Sequence, residues 1–158
     1  MSLETRHLSP GDGAALADLF AALVAAGDER HFHPHPLTAE HARDLCDSYR
    51  GQDVYMVVED EGRFVAYGML RGWDEGYEVP SLGIAVHPDA RGRGVSRVLM
   101  SALHDAAAAH GARRVRLRVY PDNASAVALY RSLGYQLAGE PDGGEQLIGH
   151  VDLPEPSA

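Results

Sequence analysis

Residues 85–96 read Ala85-Val86-His87-Pro88-Asp89-Ala90-Arg91-Gly92-Arg93-Gly94-Val95-Ser96. The apolar residues that lead into this stretch indicate a strand, and the apolar residues that follow it recur at helical spacing. The proline and the two glycines between them are typical of a tight loop. The stretch therefore predicts a strand, a glycine-containing loop and a helix in immediate succession.

This corner has the properties of an anion-binding site. Glycine has no Cβ, so backbone N–H groups of the loop can converge on a ligand. The first turn of the helix adds N–H groups without intrahelical acceptors and the positive end of the helix dipole. Neither common nucleotide-binding loop fits, because no Gly-Lys-Ser/Thr is present and the glycine spacing differs from that of dinucleotide folds. A plain tight turn is the alternative for the loop by itself.

A second patterned segment, residues 123–135, reads Asn123-Ala124-Ser125-Ala126-Val127-Ala128-Leu129-Tyr130-Arg131-Ser132-Leu133-Gly134-Tyr135. Asp122 or Asn123 can cap a helix that carries Val127 and Tyr130 on its inner face, and Gly134 follows where a C-cap belongs. For Tyr130 alone, an ordinary half-buried aromatic residue is the alternative interpretation. The segment therefore predicts a second capped helix.

Together the two segments resemble the signatures of the GNAT superfamily, the acyl-CoA-dependent N-acyltransferases. Arg-x-x-Gly-x-small resembles the family's pyrophosphate loop, and Asn, Leu-Tyr and Gly-aromatic resemble its other signature. The resemblance covers residues 1 to about 153, although its specific residues lie only between 82 and 135. It implies an α/β (α+β) fold: a mixed, mostly antiparallel sheet of about seven strands, flanked by about four helices, with a splayed strand pair that holds the cofactor.

The apolar pattern of the chain predicts a matching order of elements, β-α-α-β-β-β-α-β-α-β-β. We expect one domain over residues 1–153 and a disordered tail over residues 154–158. Helices are predicted after Gly13, from Thr38 to about Tyr49, from the glycine loop to His110, and over residues 123–133. Strands are predicted at residues 3–8, 54–58, 64–70, 78–86, 113–120, 135–138 and 146–151.

Composition narrows the partners and the compartment. The formal net charge of −9 argues against a nucleic acid or an anionic membrane as the main partner. The single cysteine, Cys46, excludes an intrachain disulfide, fits a reducing cytoplasm and lies on a helical face with apolar residues, which favours a core role over a nucleophile. No apolar run approaches the ~18 residues that a membrane span needs. We therefore expect a soluble, cytoplasmic protein.

The resemblance implies acetyl-CoA as cosubstrate and assigns its contacts. Main-chain groups of Ile84, Ala85 and Val86 are expected to hold the pantetheine arm and to direct an N–H at the thioester oxygen. Asn123 is expected to hydrogen-bond the same arm. The pyrophosphate is assigned to the amides of Arg91, Gly92, Arg93, Gly94, Val95 and Ser96. The Arg93 side chain adds charge, and Ser96 departs from the family's Gly or Ala by one oxygen, which we expect to be tolerated.

The chemistry requires a neutral amine, stabilisation of charge on the carbonyl oxygen and a proton for the leaving thiolate, but no metal. Through the resemblance, Tyr130 is the general acid, and a phenol with a pKa near 10 is protonated at neutral pH as that role requires. Glu78 is the best-placed acid for a water-linked base. Asp74 and Glu75 lie just before it; a solvated loop residue is an equal alternative for Glu78 and the favoured interpretation for the other two. Trp73 and Glu78 are also predicted to contact the acceptor, and an acidic entrance favours a cationic amine.

Residues 31–36, His-Phe-His-Pro-His-Pro, form an unusual extended segment. Alternate histidines of an extended chain face one way and could ligate a metal, but no carboxylate or cysteine stands at a supporting spacing, and we predict no metal site. Because the family's loop between the first two helices borders the acceptor cleft, His33 and His35 are predicted to contact the substrate, and a base role is open to them. The segment resembles that of bacterial GNAT enzymes that acetylate amino sugars.

Arginines at positions 114, 116 and 118 alternate with apolar residues, so one face of that strand carries three guanidinium groups. This face is interpreted either as a solvated or ion-paired surface, or as a phosphate contact for a nucleotide-linked acceptor.

The residues and the resemblance together predict an N-acetyltransferase that moves an acetyl group from acetyl-CoA to a primary amine of a small molecule, with amino sugars as one candidate class. Acetylation of a protein or peptide N-terminus is a close alternative. A non-catalytic acyl-CoA-binding module is an alternative from another class, which the presence of both Asn123 and Tyr130 disfavours. Dimers are frequent in the family, so a homodimer is an open option.

Overall fold

The computed structural model describes residues 2–154 of the chain, so residues 155–158 of the predicted tail lie outside the described residues. Within that range the chain forms seven strands and four α-helices, as the sequence predicts. The strands are β1 Leu3–His7, β2 Val54–Asp60, β3 Arg63–Arg71, β4 Ser81–Val86, β5 Arg114–Val119, β6 Gln136–Gly139 and β7 Leu147–Asp152. The helices are α1 Gly13–Ala25, α2 Ala39–Asp47, α3 Val95–Ala109 and α4 Ala124–Ser132.

The strands form one mixed sheet in the order β1-β2-β3-β4-β5-β7-β6. Neighbouring strands of this described sheet are antiparallel except for β4 and β5, which run parallel. A parallel pair needs a crossover connection, and α3 supplies it between these two strands. The predicted mixed, mostly antiparallel sheet is therefore confirmed.

Both faces of the sheet are covered by apolar clusters, which explains why β3 is buried along almost its whole length. Helices α1 and α2 pack on one face against Tyr67 and Met69. Helices α3 and α4 pack with the cluster that contains Leu70, Val115 and Leu117. Because side chains alternate along a strand, the arginines of β5 point to the α1/α2 face. Those helices pack on β3, and the arginine face of β5 instead borders an open cavity.

The parallel pair separates soon after it begins. β4 pairs with β5 only at Ser81 and Leu82, whereas its pairing with β3 continues to Val86. The far end of β4 therefore has a strand on one side and a gap on the other. The separation of β4 from β5 forms the splayed strand pair that the resemblance implies.

The start of β4 and the capping of α4 differ from the predictions, whereas the other element ends lie within two residues of those predicted. The predicted strand over residues 78–86 begins only at Ser81, because Pro80 lacks the N–H that a ladder requires and the preceding residues form a loop. Helix α4 begins after Asn123 as expected, but neither predicted side chain caps it: Asn123 makes no side-chain cap bond, and Asp122 pairs with His31 instead. Among residues 2–154, no helix has the length and apolar character needed to cross a membrane.

Candidate active site

The loop between β4 and α3 takes the conformation expected of an anion-binding corner. Gly92 and Gly94 have φ angles of 75° and 78°, in the left-handed region that favours glycine, and a Cβ on either residue would meet open space. The first helical hydrogen bond of α3 runs from the Val98 N–H to the Gly94 carbonyl at 3.3 Å. The N–H groups of residues 95–97 therefore have no intrahelical acceptor and remain available to an anion.

The two arginines of this loop have different surroundings. Arg91 forms an ion pair with Asp28 and lies 3.4 Å from the Val86 carbonyl, so its side chain ties the loop to the segment that follows α1. Arg93 is exposed and has no ion-pair or hydrogen-bond partner among residues 2–154. The guanidinium group of Arg93 can therefore contact a phosphate. Arg91 can contact the same phosphate through its main chain.

The main chain of β4 directs alternate residues into the gap. The His87 N–H donates to the Val65 carbonyl at 2.8 Å, so in this antiparallel register Ala85 also directs its N–H and C=O toward β3. On the opposite edge of β4, the Pro80 carbonyl accepts a hydrogen bond from β5. The main-chain groups of Ile84 and Val86 point to this same edge, because their direction alternates along the strand. Of the three predicted pantetheine contacts, Ile84 and Val86 thus present main-chain groups to the gap. Ala85 does not, because its groups are used by β3.

Tyr130 lies in the apolar cluster beneath α4, with its ring 5.8 Å from that of Tyr135. Burial raises the pKa of the Tyr130 phenol above its usual range, so the hydroxyl keeps its proton at neutral pH. That hydroxyl hydrogen-bonds to no residue in the described part of the chain. Asn123, at the start of the same helix, also leaves its side-chain amide unused for capping. Their contacts with a ligand stay predictions, since Tyr130 is buried in this cluster and neither residue lines the cavity beside β4 and β5.

An open cavity of about 870 Å³ lies on the α1/α2 face, beside the paired ends of β4 and β5. It is bordered by the segment that precedes α2, by the loop between β3 and β4, and by the arginine face of β5. Its lining residues include His33, Met69, Arg71, Glu75, Glu78, Ser81, Gly83, Arg116 and His150. A cavity of this size fits a small polar molecule that reaches the gap between the two strands.

The three histidines of residues 31–36 do not face one way. The ring Nε2 of His31 lies 3.0 Å from the Asp122 carboxylate, and that of His33 lies 3.0 Å from the Tyr120 hydroxyl. Both therefore join the segment before α2 to the loop after β5. His33 lines the cavity, and its contact with a substrate stays a prediction.

His35 turns inward, away from the cavity. Its Nδ1 donates to the Pro36 carbonyl at 2.9 Å, so its Nε2 accepts from the Tyr67 hydroxyl at 2.8 Å. The ring also stacks on His41 at 4.3 Å. Burial lowers the pKa of His35 to about 4. The alternation argument fails here because the prolines and the packing of Phe32 set the path of this segment. His35 has a structural role.

The side chains of the acidic loop before β4 lie in different places, some bordering the cavity and others outside it. Glu78 is exposed and borders the cavity, although it precedes β4 instead of lying on it. Asp74 accepts hydrogen bonds from the Tyr49 hydroxyl and the Gln52 N–H, which keeps its carboxylate outside the cavity. Trp73 stacks on His110 at 4.2 Å and borders a smaller pocket of about 450 Å³. Trp73 does not reach the larger cavity, because it packs with the α3 cluster.

Comparison with known proteins identifies the family. The model of the acetyltransferase (GNAT) family matches residues 21–135, which include both signature segments and the strands β4 and β5. The chain belongs to the GNAT family.

Individual relatives agree with this assignment. "Acetyltransferase SG1711" of Sodalis glossinidius (strain morsitans) is 33% identical over 85 residues, which are 54% of this chain and 58% of that relative. A GCN5-related N-acetyltransferase from Kribbella flavida has a TM-score of 0.76 and 29% identity, over 96% of this chain and 98% of its own. The PaiA N-acetyltransferase from Thermoplasma acidophilum, solved in complex with coenzyme A, has a TM-score of 0.76 at 14% identity, over 96% and 99% of the chains, and supports the fold alone.

Several cavity residues of this GNAT chain escape sequence reasoning. His150 of β7 and Gln146, just before that strand, lie far along the chain and reach the site because β7 pairs with β5. Arg71 donates to the Pro34 carbonyl at 2.7 Å and so holds the segment before α2 against the sheet. No local pattern marks these residues, whereas the alternating arginines of β5 were visible as a pattern with two interpretations.

Proposed function

We propose that this chain transfers an acetyl group from acetyl-CoA to a primary amine of a small molecule, with amino sugars as the first acceptors to test. One observation carries the proposal: β4 lines the cavity at Ser81–Gly83, parts from β5 there, and runs on from that point to Val86 and the glycine loop. A thioester arm lying in that gap has its phosphates at Gly92–Ser96 and its acyl end at the cavity. Family membership, with acetyltransferases among the relatives, supports this activity.

The residues at the site fit acetyl-CoA. Converging N–H groups, the exposed Arg93 and the absence of any Cβ at Gly92 and Gly94 suit a pyrophosphate. The main-chain groups of Ile84 and Val86 that face the gap suit the amides of a pantetheine arm. The thioester supplies an activated acetyl group.

The amine must attack the thioester carbonyl as a neutral nucleophile. Its nitrogen forms the new C–N bond, the C–S bond breaks, and the sulfur leaves with the bonding electrons. A main-chain N–H of β4 stabilises the negative charge on the carbonyl oxygen. Tyr130 donates its proton to the leaving sulfur, and Glu78, acting through a water molecule, accepts a proton from the amine. The high pKa of Tyr130 keeps it protonated for this role.

A panel of amines tests the activity directly. The intact protein is mixed with acetyl-CoA and each of several amino sugars, polyamines, amino acids and short peptides, and free thiol is measured over time. We expect steady CoA release with at least one small amine. Release with peptides alone would favour the N-terminal acetyltransferase. Tight acetyl-CoA binding without release for any amine would favour the non-catalytic module.

A further inference from the structure

The floor of the cavity is a row of three arginines whose surroundings differ. Arg114 forms an ion pair with Asp152 at 2.7 Å, and Arg118 forms one with Glu140 at 3.0 Å. Each of these guanidinium groups is thus neutralised by an acid of the C-terminal part of the chain. Arg116, between them, has no ion-pair partner among residues 2–154. The interpretation of this face as an ion-paired surface therefore accounts for two of its arginines and leaves the third unexplained.

Arg116 also carries an unsatisfied polar atom. Its Nε is buried and has no hydrogen-bond partner within the described structure. A guanidinium group stays charged at any physiological pH, so it cannot escape this situation by losing its proton. Leaving a charged donor out of water without an acceptor is unfavourable, and such groups in proteins are paired or bind a ligand. Because Arg116 borders the open cavity, a group that enters the cavity can supply an acceptor for its guanidinium.

The neighbours of Arg116 across the sheet complete a polar row. Ser81 of β4 is its partner on one side and His150 of β7 is its partner on the other. Paired residues share a face of the sheet, and all three side chains border the cavity. A hydroxyl, a guanidinium and an imidazole all donate hydrogen bonds. Neither paired neighbour carries a carboxylate that could neutralise Arg116.

The side of the cavity that lies away from this row carries negatively charged side chains. Glu75 and Glu78 lie on the loop between β3 and β4 and border the same space. Arg71, the other arginine there, already donates to the Pro34 carbonyl. The cavity thus combines an acidic edge with a floor of hydrogen-bond donors around one unpaired guanidinium. A molecule that carries both an ammonium and an anionic group matches this distribution of charge.

We propose that the cavity binds the anionic group of its acceptor, a phosphate or a carboxylate, on the row formed by Ser81, Arg116 and His150. Arg116 is the specificity-determining residue, because its planar fork can donate two parallel hydrogen bonds to either anion. The proposal names the substrate class of the proposed acetyltransferase and rests on that function. Its binding step is measurable without turnover.

The first experiment observes Arg116 itself. Uniformly ¹⁵N-labelled intact protein, saturated with CoA, is titrated with D-glucosamine 6-phosphate and separately with β-alanine, and the arginine Nε–Hε signals are followed by NMR. The Arg116 signal is the one lost in both R116Q and R116K. We expect it to shift saturably with the phosphate probe, the carboxylate probe or both, which identifies the anion. No shift of this signal at tens of millimolar of either probe would overturn the proposal.

The second experiment measures how strongly the protein prefers an anionic acceptor over its neutral counterpart. kcat/KM is compared for D-glucosamine with and without its 6-phosphate, and for β-alanine with its amide. In the wild type we expect the anionic member of at least one pair to be preferred. R116Q should reduce that anionic-to-neutral ratio by roughly 10- to 100-fold, and R116K should retain part of it, since it keeps the charge but loses the fork. R114Q, on the same face but paired with Asp152, is the matched control and should keep the ratio.

The two experiments separate the two proposals. If acetylation occurs but R116Q and R114Q change the ratio equally, the anion site is wrong and the activity stands. If no amine is acetylated yet the Arg116 signal shifts saturably, the anion site stands and the proposed activity is wrong. Because R116Q removes a half-buried group without an ion-pair partner among residues 2–154 and leaves the ion pairs of Arg114 and Arg118 in place, we expect it to remain folded, and circular dichroism of all variants checks this.

Discussion

Tyr130 is the residue at which catalysis and binding can be separated. Its hydroxyl makes no hydrogen bond to a described residue, so Tyr130→Phe removes one oxygen and leaves the ring packing intact. We expect acetyl-CoA affinity to change little and turnover to fall by ~10²–10⁴-fold if proton transfer limits the rate. The measurement is kcat near neutral pH with saturating acetyl-CoA and an accepted amine.

Tyr135→Phe is the control for this variant. Tyr135 is buried in the same cluster, and its hydroxyl lies 2.7 Å from His104 Nε2, so the change also removes a buried phenol oxygen. We expect it to retain wild-type turnover. Full activity of Tyr130→Phe would remove Tyr130 from the mechanism.

His35 gives a prediction about stability and pH. In the folded protein burial lowers its pKa from about 6.5 to about 4, so it stays neutral where the unfolded chain binds a proton. Stability is therefore lost as pH falls from about 6.5 to about 4. We expect the melting temperature of His35→Gln to fall less steeply over this range than that of the wild type. His33→Gln, at an exposed position, should follow the wild type, and equal slopes for all three proteins would contradict the role of His35.

At the scale of elements, α3 has a glycine in the left-handed conformation at each end. Gly94 and Gly111 have φ angles of 78° and 86°, and a Cβ at either position meets nothing within 4 Å. Valine at either position costs a similar ~1–2 kcal/mol of backbone strain. We expect Gly94→Val and Gly111→Val to lose similar stability, measured by urea unfolding.

Only Gly94→Val should also weaken acetyl-CoA binding, by about tenfold or more, because its side chain occupies the place where a pyrophosphate approaches the helix start. Isothermal titration calorimetry of both variants measures the difference. Equal acetyl-CoA affinities would show that the loop has been assigned the wrong ligand.

At the scale of the whole molecule, acetyl-CoA should stabilise the fold. The proposed contacts lie on β4, on the glycine loop and at the start of α4, and the unfolded chain does not bring these elements together. A ligand at a hundredfold excess over its dissociation constant raises the free energy of unfolding by ~2.7 kcal/mol. We expect a clear rise in melting temperature with millimolar acetyl-CoA. An unchanged melting temperature would count against both the cofactor and the activity.

Cys46 shows which predictions a local pattern supports. It shares an apolar helical face, and in the structure it is buried with its pKa raised by burial to about 11, as a core thiol should be. The glycine loop and the end of α4 at Gly134, with its φ of 95°, were predictable for a related reason. Burial on one face of a helix and a positive φ at a turn are requirements of the adjacent few residues, and the sequence carries them in its spacing.

The sequence by itself therefore determined the elements, their order and the glycine loop before α3, since apolar periodicity and glycine conformation act over short stretches of chain. Only the tertiary structure decided which side chains meet. Burial against Tyr67 made His35 a structural residue, packing on His110 took Trp73 away from the larger cavity, and the pairing of β5 with its neighbours left Arg116 without a carboxylate. These outcomes depend on residues far apart in the chain, and no local spacing encodes them.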